Sequence, residues 1–174
     1  LPFQSLADKV TLKFHTMLPM PSNTIANFVK PWFNKIKNES NNEIIAEFYP
    51  SMQLGGKPSQ LVDQVREGVV DVIWTVAGYT PGRFPRLSVF ELPFMPTNAE
   101  VTTQAVQEFV ETIGAKDLKD YKILAVHVHS PGKIHTKNTL IKSLDDFQGL
   151  KLRGPTRSAT NLLKRLGATP IGMP

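Results

Sequence analysis

The chain of 174 residues contains no cysteine. A disulfide framework and a thiolate metal site are therefore both excluded. No apolar run reaches the roughly 18 residues of a membrane-spanning helix, so we predict no direct insertion into a membrane. The N-terminal segment LPFQSLADKV has neither the basic start nor the apolar core of a signal peptide. We expect it to be a mature N-terminus from which such a peptide has been cleaved.

Motifs typical of enzymes and of nucleic-acid-binding proteins are also missing. The sequence has no G-x-S-x-G, H-E-x-x-H or G-x-G-x-x-G motif, so nothing indicates a nucleophilic enzyme or a bound cofactor. The formal net charge is +5, but the basic residues are scattered and form no zinc-finger, basic-zipper or RNA-recognition motif. We therefore predict no nucleic-acid partner, and a basic nucleic-acid-binding module remains an alternative interpretation.

Strand-like and helix-like segments alternate along the first part of the chain. Strands are predicted at 10–16, 43–48 and 71–78, with helices between them. Short strands that alternate with helices are typical of a parallel sheet with right-handed crossovers. Pro31 lies inside the first predicted helix, where it predicts a kink or a break.

The later part of the chain continues this α/β pattern. Asn98 is the predicted N-cap of a helix, and a further helix is predicted from Ser158 to Leu166. The apolar face expected for the first of these helices comprises Val101, Ala105, Phe109 and Ile113. Further strands are predicted at 122–128, around 134–136, over the LKLR run and in the final TPIGMP segment. We expect one complete lobe at 1–126 and the incomplete beginning of a second lobe at 127–174.

Arg153 ends the LKLR run and is followed at once by Gly154 and Pro155. Ligands of open α/β sheets bind beyond the carboxyl ends of the strands, and a guanidinium matches a carboxylate through two parallel hydrogen bonds. Arg153 is therefore a candidate carboxylate-binding residue. The alternative is a solvated arginine, or one that pairs with Asp145 or Asp146.

Histidines supply a second candidate site. His127 and His129 lie on one face of a predicted strand, and His135 follows six residues later. Three histidines can hold a zinc ion, so an enzyme with a His-ligated metal is a further alternative. No carboxylate lies close to them in sequence, and hydrogen-bonded or hinge histidines explain the pattern better. We therefore predict no metal site.

Four segments occur together in an order and spacing that resemble a known family. They are FYPSMQLGG (48–56), QVREGVVDVIW (64–74), FELPFM (90–95) and SLDDFQGLKLRGP…LGATPIGMP (143–174). Together they resemble the solute-binding proteins of TRAP transporters, the family that includes the dicarboxylate-binding subunits. The resemblance implies a periplasmic receptor of two-lobed α/β fold that holds an organic acid in an interlobe cleft. It implies no enzymatic activity, and it implies two transporter membrane subunits as partners.

The resemblance also implies roles for individual residues. The arginine of the family's GLKxR motif, Arg153 here, is expected to pair with the ligand carboxylate. Lys133 stands where the family often has a second arginine, and an ammonium is a point charge rather than a bidentate fork. The expected wall residues of the first lobe are Trp74, Thr75, His15 and Met17. Such a lining favours an apolar or aromatic monocarboxylate over a small diacid.

Overall fold

The computed structural model describes residues 9–174. The predicted mature N-terminus at residues 1–8 lies outside the described residues. The chain divides into two compact units, the first ending at Thr75 and the second spanning Val76–Pro174. This division does not coincide with the expected lobe boundary at 126, and the assignment of lobes stays a prediction.

The first unit contains the predicted parallel sheet. Its strands are β1 (Val10–Thr16), β2 (Ile44–Tyr49) and β3 (Val72–Trp74). They lie in the order β2-β1-β3, and both pairings are parallel. All three carboxyl ends therefore lie at one edge of the sheet. β3 ends earlier than predicted.

The helices of the first unit are α1 (Lys30–Glu39) and α2 (Leu61–Arg66). A π-helical turn, Ile25–Val29, leads directly into α1, and Pro31 lies in the first turn of α1. The Lys30 N–H donates to the Ile25 carbonyl, so the helical backbone is continuous across this junction, and Pro31 lacks only its own N–H donor. The helix does not break at Pro31, because α1 continues through it to Glu39, and the π turn ends two residues before it. The buried core on this side of the sheet consists of Phe14, Ile25, Val29 and Phe33.

The second unit contains α3 (Ala99–Glu111), β4 (Lys151–Gly154), α4 (Arg157–Arg165) and β5 (Thr169–Gly172). β4 and β5 pair in parallel, with Arg153 opposite Ile171. Beneath them lies a small core of Phe147, Leu163 and Ala168. The strands predicted at LKLR and TPIG, and the helix between them, are thus confirmed. The predicted cap of α3 is also confirmed, because the Asn98 side chain accepts a hydrogen bond from the Val101 N–H at 2.9 Å.

Two predicted strands of the second unit are wrong. Residues 122–128 and 134–136 form no strand. A strand needs a neighbour to accept and donate its backbone hydrogen bonds, and alternating hydrophobicity does not supply one. The Val128 N–H in this segment donates instead to the Thr103 hydroxyl, at 3.1 Å.

The buried face of α3 is rotated by one residue from its predicted position. It consists of Thr102, Val106 and Val110, whereas Val101 is exposed. The predicted stripe extended to Ile113, but α3 ends at Glu111. The stripe that is buried lies wholly inside the helix and contains two valines.

No helix within residues 9–174 combines the length and the apolar character that crossing a bilayer requires.

Gly154 is the residue of β4 that tolerates a side chain least. A Cβ atom there would lie 2.8 Å from the Thr160 Cα and 3.0 Å from its backbone nitrogen, because α4 packs directly against the strand end. We expect Gly154→Ala to lower the free energy of unfolding by about 1–3 kcal/mol through overpacking, measured by urea denaturation. The control is Gly132→Ala, where no atom lies within 4 Å of the added Cβ. Equal stabilities for the two variants would contradict the packing described.

Candidate functional site

Arg153 lies at the carboxyl end of β4, and its side chain is exposed. Its Nε donates to the backbone carbonyl of Met173 at 3.0 Å, just beyond the end of the paired strand β5. A backbone hydrogen bond also joins the same two segments, from the Met173 N–H to the Gly154 carbonyl at 3.2 Å. The guanidinium is therefore held by the main chain of the neighbouring strand.

This anchoring leaves the outer edge of the guanidinium available. Arginine has five N–H donors, and Nε uses one of them. Nη2 lies 3.4 Å from the Tyr79 hydroxyl, and no partner contacts Nη1 among residues 9–174. The two terminal nitrogens are the pair that can bind both oxygens of a carboxylate side by side.

The alternative in which Arg153 pairs with a neighbouring aspartate is not observed. Asp146 instead accepts hydrogen bonds from the backbone N–H groups of Lys142 and Ser143, at 2.9 and 2.8 Å. These bonds, together with one from the Ser143 hydroxyl, lower the pKa of Asp146 below its usual value of 3.8 because they stabilise the charged form. No carboxylate within the described part of the chain forms an ion pair with Arg153.

The turn after Arg153 is fixed by α4. Thr156 caps this helix, because its hydroxyl accepts from the Ala159 N–H at 3.2 Å. Gly78 packs against Thr156: a Cβ on Gly78 would lie 2.6 Å from the Thr156 methyl carbon and would also clash with Glu91. The 3₁₀ turn Ala77–Tyr79 is thereby held beside the start of α4.

The four wall residues predicted for the first lobe lie together at the carboxyl edge of the first unit's sheet. His15 is the penultimate residue of β1, and Met17 directly follows this strand. Trp74 is the last residue of β3, and Thr75 directly follows it. The Thr16 hydroxyl ties the two strand ends together by donating to the Trp74 carbonyl at 3.3 Å. The Thr75 hydroxyl oxygen is buried and has no hydrogen-bond partner among residues 9–174.

His15 is fully buried, so the surrounding residues shield it from solvent. Its Nδ1 lies 2.7 Å from Gln64 Oε1, and Gln64 Nε2 donates to the Gly55 carbonyl at 3.2 Å. Because a carbonyl only accepts, the Gly55 contact fixes the orientation of the Gln64 amide and directs its oxygen at His15. Nδ1 must then carry the proton, and Nε2 is a buried acceptor without a described partner. The burial does not favour direct ligand contact by His15, which stays a prediction.

Lys133 and the three later histidines lie in irregular, mostly exposed chain between α3 and β4. Lys133 is exposed, and no hydrogen bond or ion pair involving it is present in the described range. His129 Nδ1 contacts the Ser130 carbonyl at 2.5 Å. Within residues 9–174 no three His, Asp or Glu side chains are grouped so that they could share a metal ion, so the structure does not gather His127, His129 and His135 into a site.

Tyr79 is a neighbour of Arg153 that was not predicted from the sequence as a ligand-binding residue. In the sequence it is an aromatic residue just past a strand end, where core packing is the usual explanation. It lies 74 residues from Arg153 along the chain. Only the fold of the second unit brings the two side chains together.

Comparison with known proteins identifies the family. Residues 15–174 match the model of the bacterial extracellular solute-binding proteins, family 7. The chain belongs to this family. The predicted resemblance to TRAP solute-binding proteins is confirmed by solved structures with the same α/β fold.

Three of these structures show how close the similarity is. A marine-metagenome TRAP solute-binding protein specific for aromatic acids, in complex with metahydroxyphenylacetate, is 66% identical with a TM-score of 0.92, over 95% of this chain and 52% of that one. A Rhodoferax ferrireducens protein with copurified benzoate is 54% identical with a TM-score of 0.91, over 95% and 52%. A Bordetella bronchiseptica protein with bound mandelate is 32% identical with a TM-score of 0.83, again over 95% and 52%.

The chain spans about half the length of the curated relatives and solved structures that it matches. The matched structures are solute-binding proteins rather than enzymes. The family description places its members outside the cytoplasm.

The hydrogen-bonded series from Gly55 through Gln64 to His15 gives a prediction about the His15 tautomer. We expect neutral His15 to carry its proton on Nδ1, because Gln64 Oε1 can only accept. The ring ¹⁵N shifts at a pH where the imidazole is neutral report this tautomer directly. Gln64→Leu should release the constraint and serves as the comparison. A wild-type His15 protonated on Nε2 would contradict the arrangement.

Proposed function

We propose that the protein is a receptor for an organic acid, and that the acid is an aromatic monocarboxylate. The observation that carries this proposal is the anchored guanidinium of Arg153. Its Nε donates to the Met173 carbonyl, and that bond does not use the two terminal nitrogens. A planar, acceptor-only anion such as a carboxylate complements this edge.

The relatives support an aromatic acid as the solute. The two most similar of the three structures described above hold metahydroxyphenylacetate and benzoate, each an aromatic compound with a single carboxylate. Apolar and aromatic surfaces line most small-molecule sites, and a few polar groups fix the orientation of the ligand. Trp74 and Met17 have this character, and we propose that they contact the ring.

Lys133 bears on the choice between one carboxylate and two. We propose that its ammonium adds positive charge near the ligand without forming a second bidentate contact. A ligand with two carboxylates would then have one forked partner, Arg153, and one flexible point charge. This difference favours a monocarboxylate. Thr75 and His15 are proposed as the remaining polar residues of the wall.

The biological role that follows is transport rather than catalysis. We propose that the receptor works in the periplasm and delivers its acid to the two membrane subunits of a TRAP transporter, with no cofactor. Family membership supports this role over the alternatives of a His-ligated metal enzyme and a nucleic-acid-binding module. The separation of the three later histidines also weighs against the metal enzyme.

Arg153→Ala should abolish most of the affinity for the acid. Removing one partner of a hydrogen-bonded charge pair costs about 2–5 kcal/mol, which corresponds to a roughly 30-fold or greater rise in Kd. The measurement is calorimetric titration of the complete protein with benzoate and 3-hydroxybenzoate.

The matched control is Arg165→Ala. Arg165 is an exposed arginine in the last turn of α4, so this variant removes the same charge from the same unit and should bind as the wild type does. An Arg153→Ala variant with wild-type affinity would overturn the proposed function. An equal loss in both variants would attribute the effect to net charge and would overturn the assignment to Arg153.

A further inference from the structure

The Tyr79 hydroxyl is the polar group that contacts the outer edge of Arg153. Its oxygen lies 3.4 Å from Nη2. A guanidinium has no acceptor, so the phenol oxygen must accept in this contact. The phenol proton then remains to be donated, and no acceptor for it is found among residues 9–174. Arg153 and Tyr79 together thus present unused donors from two different elements.

The position of Tyr79 is fixed by its own turn. The Tyr79 N–H donates to the Val76 carbonyl at 3.0 Å, and the Thr80 hydroxyl donates to the Ala77 carbonyl at 3.0 Å. Gly78 packs closely against Thr156, the residue that caps α4. The backbone that carries Tyr79 is therefore tied to the segment that directly follows Arg153. The contact between the Arg153 and Tyr79 side chains is therefore supported by the packing of the second unit.

The contact is long for a hydrogen bond, since N–H···O distances in proteins cluster near 2.9–3.0 Å. A group that accepts from both side chains would give each a stronger partner. Accepting from the guanidinium also makes the phenol a better donor, because this contact draws electron density toward the phenol oxygen and polarises its O–H bond more strongly. A carboxylate has lone pairs enough on its two oxygens to accept from the guanidinium and the phenol together.

We propose that Tyr79 is a second carboxylate-binding residue, whose hydroxyl donates to the same carboxylate that Arg153 binds. This inference rests on the proposed function and adds a specificity-determining residue to it. The combined site selects an acceptor-only anion: a carboxamide in the same place would direct an N–H group at one of these donors. The site therefore distinguishes an acid from its amide through two side chains of the second unit.

The test is Tyr79→Phe, which removes the hydroxyl and keeps the ring. A hydrogen bond to a charged group is worth about 1.5–3 kcal/mol, so we expect the Kd for benzoate to rise about 10- to 150-fold, measured by calorimetric titration of the complete protein. The matched control is Tyr121→Phe. The Tyr121 hydroxyl is buried without a described hydrogen-bond partner and its ring packs on Phe84, so its removal should leave the Kd unchanged.

A spectroscopic signature separates direct donation from mere positioning of Arg153. Benzoate labelled with ¹³C at the carboxylate should show a shifted asymmetric stretch when bound to Tyr79→Phe, and the wild-type stretch when bound to Tyr121→Phe. A raised Kd with an unshifted stretch would overturn direct donation. Wild-type affinity in Tyr79→Phe, alongside the expected loss in Arg153→Ala, would overturn this inference and leave the proposed function standing. Wild-type affinity in Arg153→Ala would overturn both.

Discussion

The hydrogen bond from Arg153 Nε to the Met173 carbonyl is the interaction on which the candidate site depends. It exists because β4 and β5 pair in parallel and the chain continues beyond β5 in register. An arginine side chain loses considerable rotamer freedom when it is ordered. The backbone contact meets part of that cost before any ligand arrives, which is the general advantage of preorganisation in binding. It also determines which edge of the guanidinium remains to bind an anion.

The small size of the surrounding residues is the second constraint. Gly154 lets α4 lie directly on the end of β4, and Gly78 lets the Ala77–Tyr79 turn approach Thr156. Both glycines have a steric role rather than a conformational one, because neither has a positive φ angle. Close packing of this kind holds Arg153 and Tyr79 in one unit and limits how far they can separate.

Local features of the fold were predictable from the sequence, and features that depend on distant partners were not. Period-two runs and capping residues located β1, β4, α4 and the N-terminus of α3. Segment 122–128 has the same alternation, yet it forms no strand because alternation does not specify a hydrogen-bonded neighbour. Arg153 was recognisable because a charge at a strand end is a local signal. Tyr79 was not, since its contact with Arg153 arises only from tertiary packing.

The central claim is that the terminal nitrogens of Arg153 bind the carboxylate of an aromatic acid. A crystal structure of the complete protein with 3-hydroxybenzoate tests it most directly. The account predicts both carboxylate oxygens within about 3 Å of Nη1 and Nη2, with Nε still on the Met173 carbonyl. A carboxylate bound to other residues, with Arg153 in solvent, would contradict it.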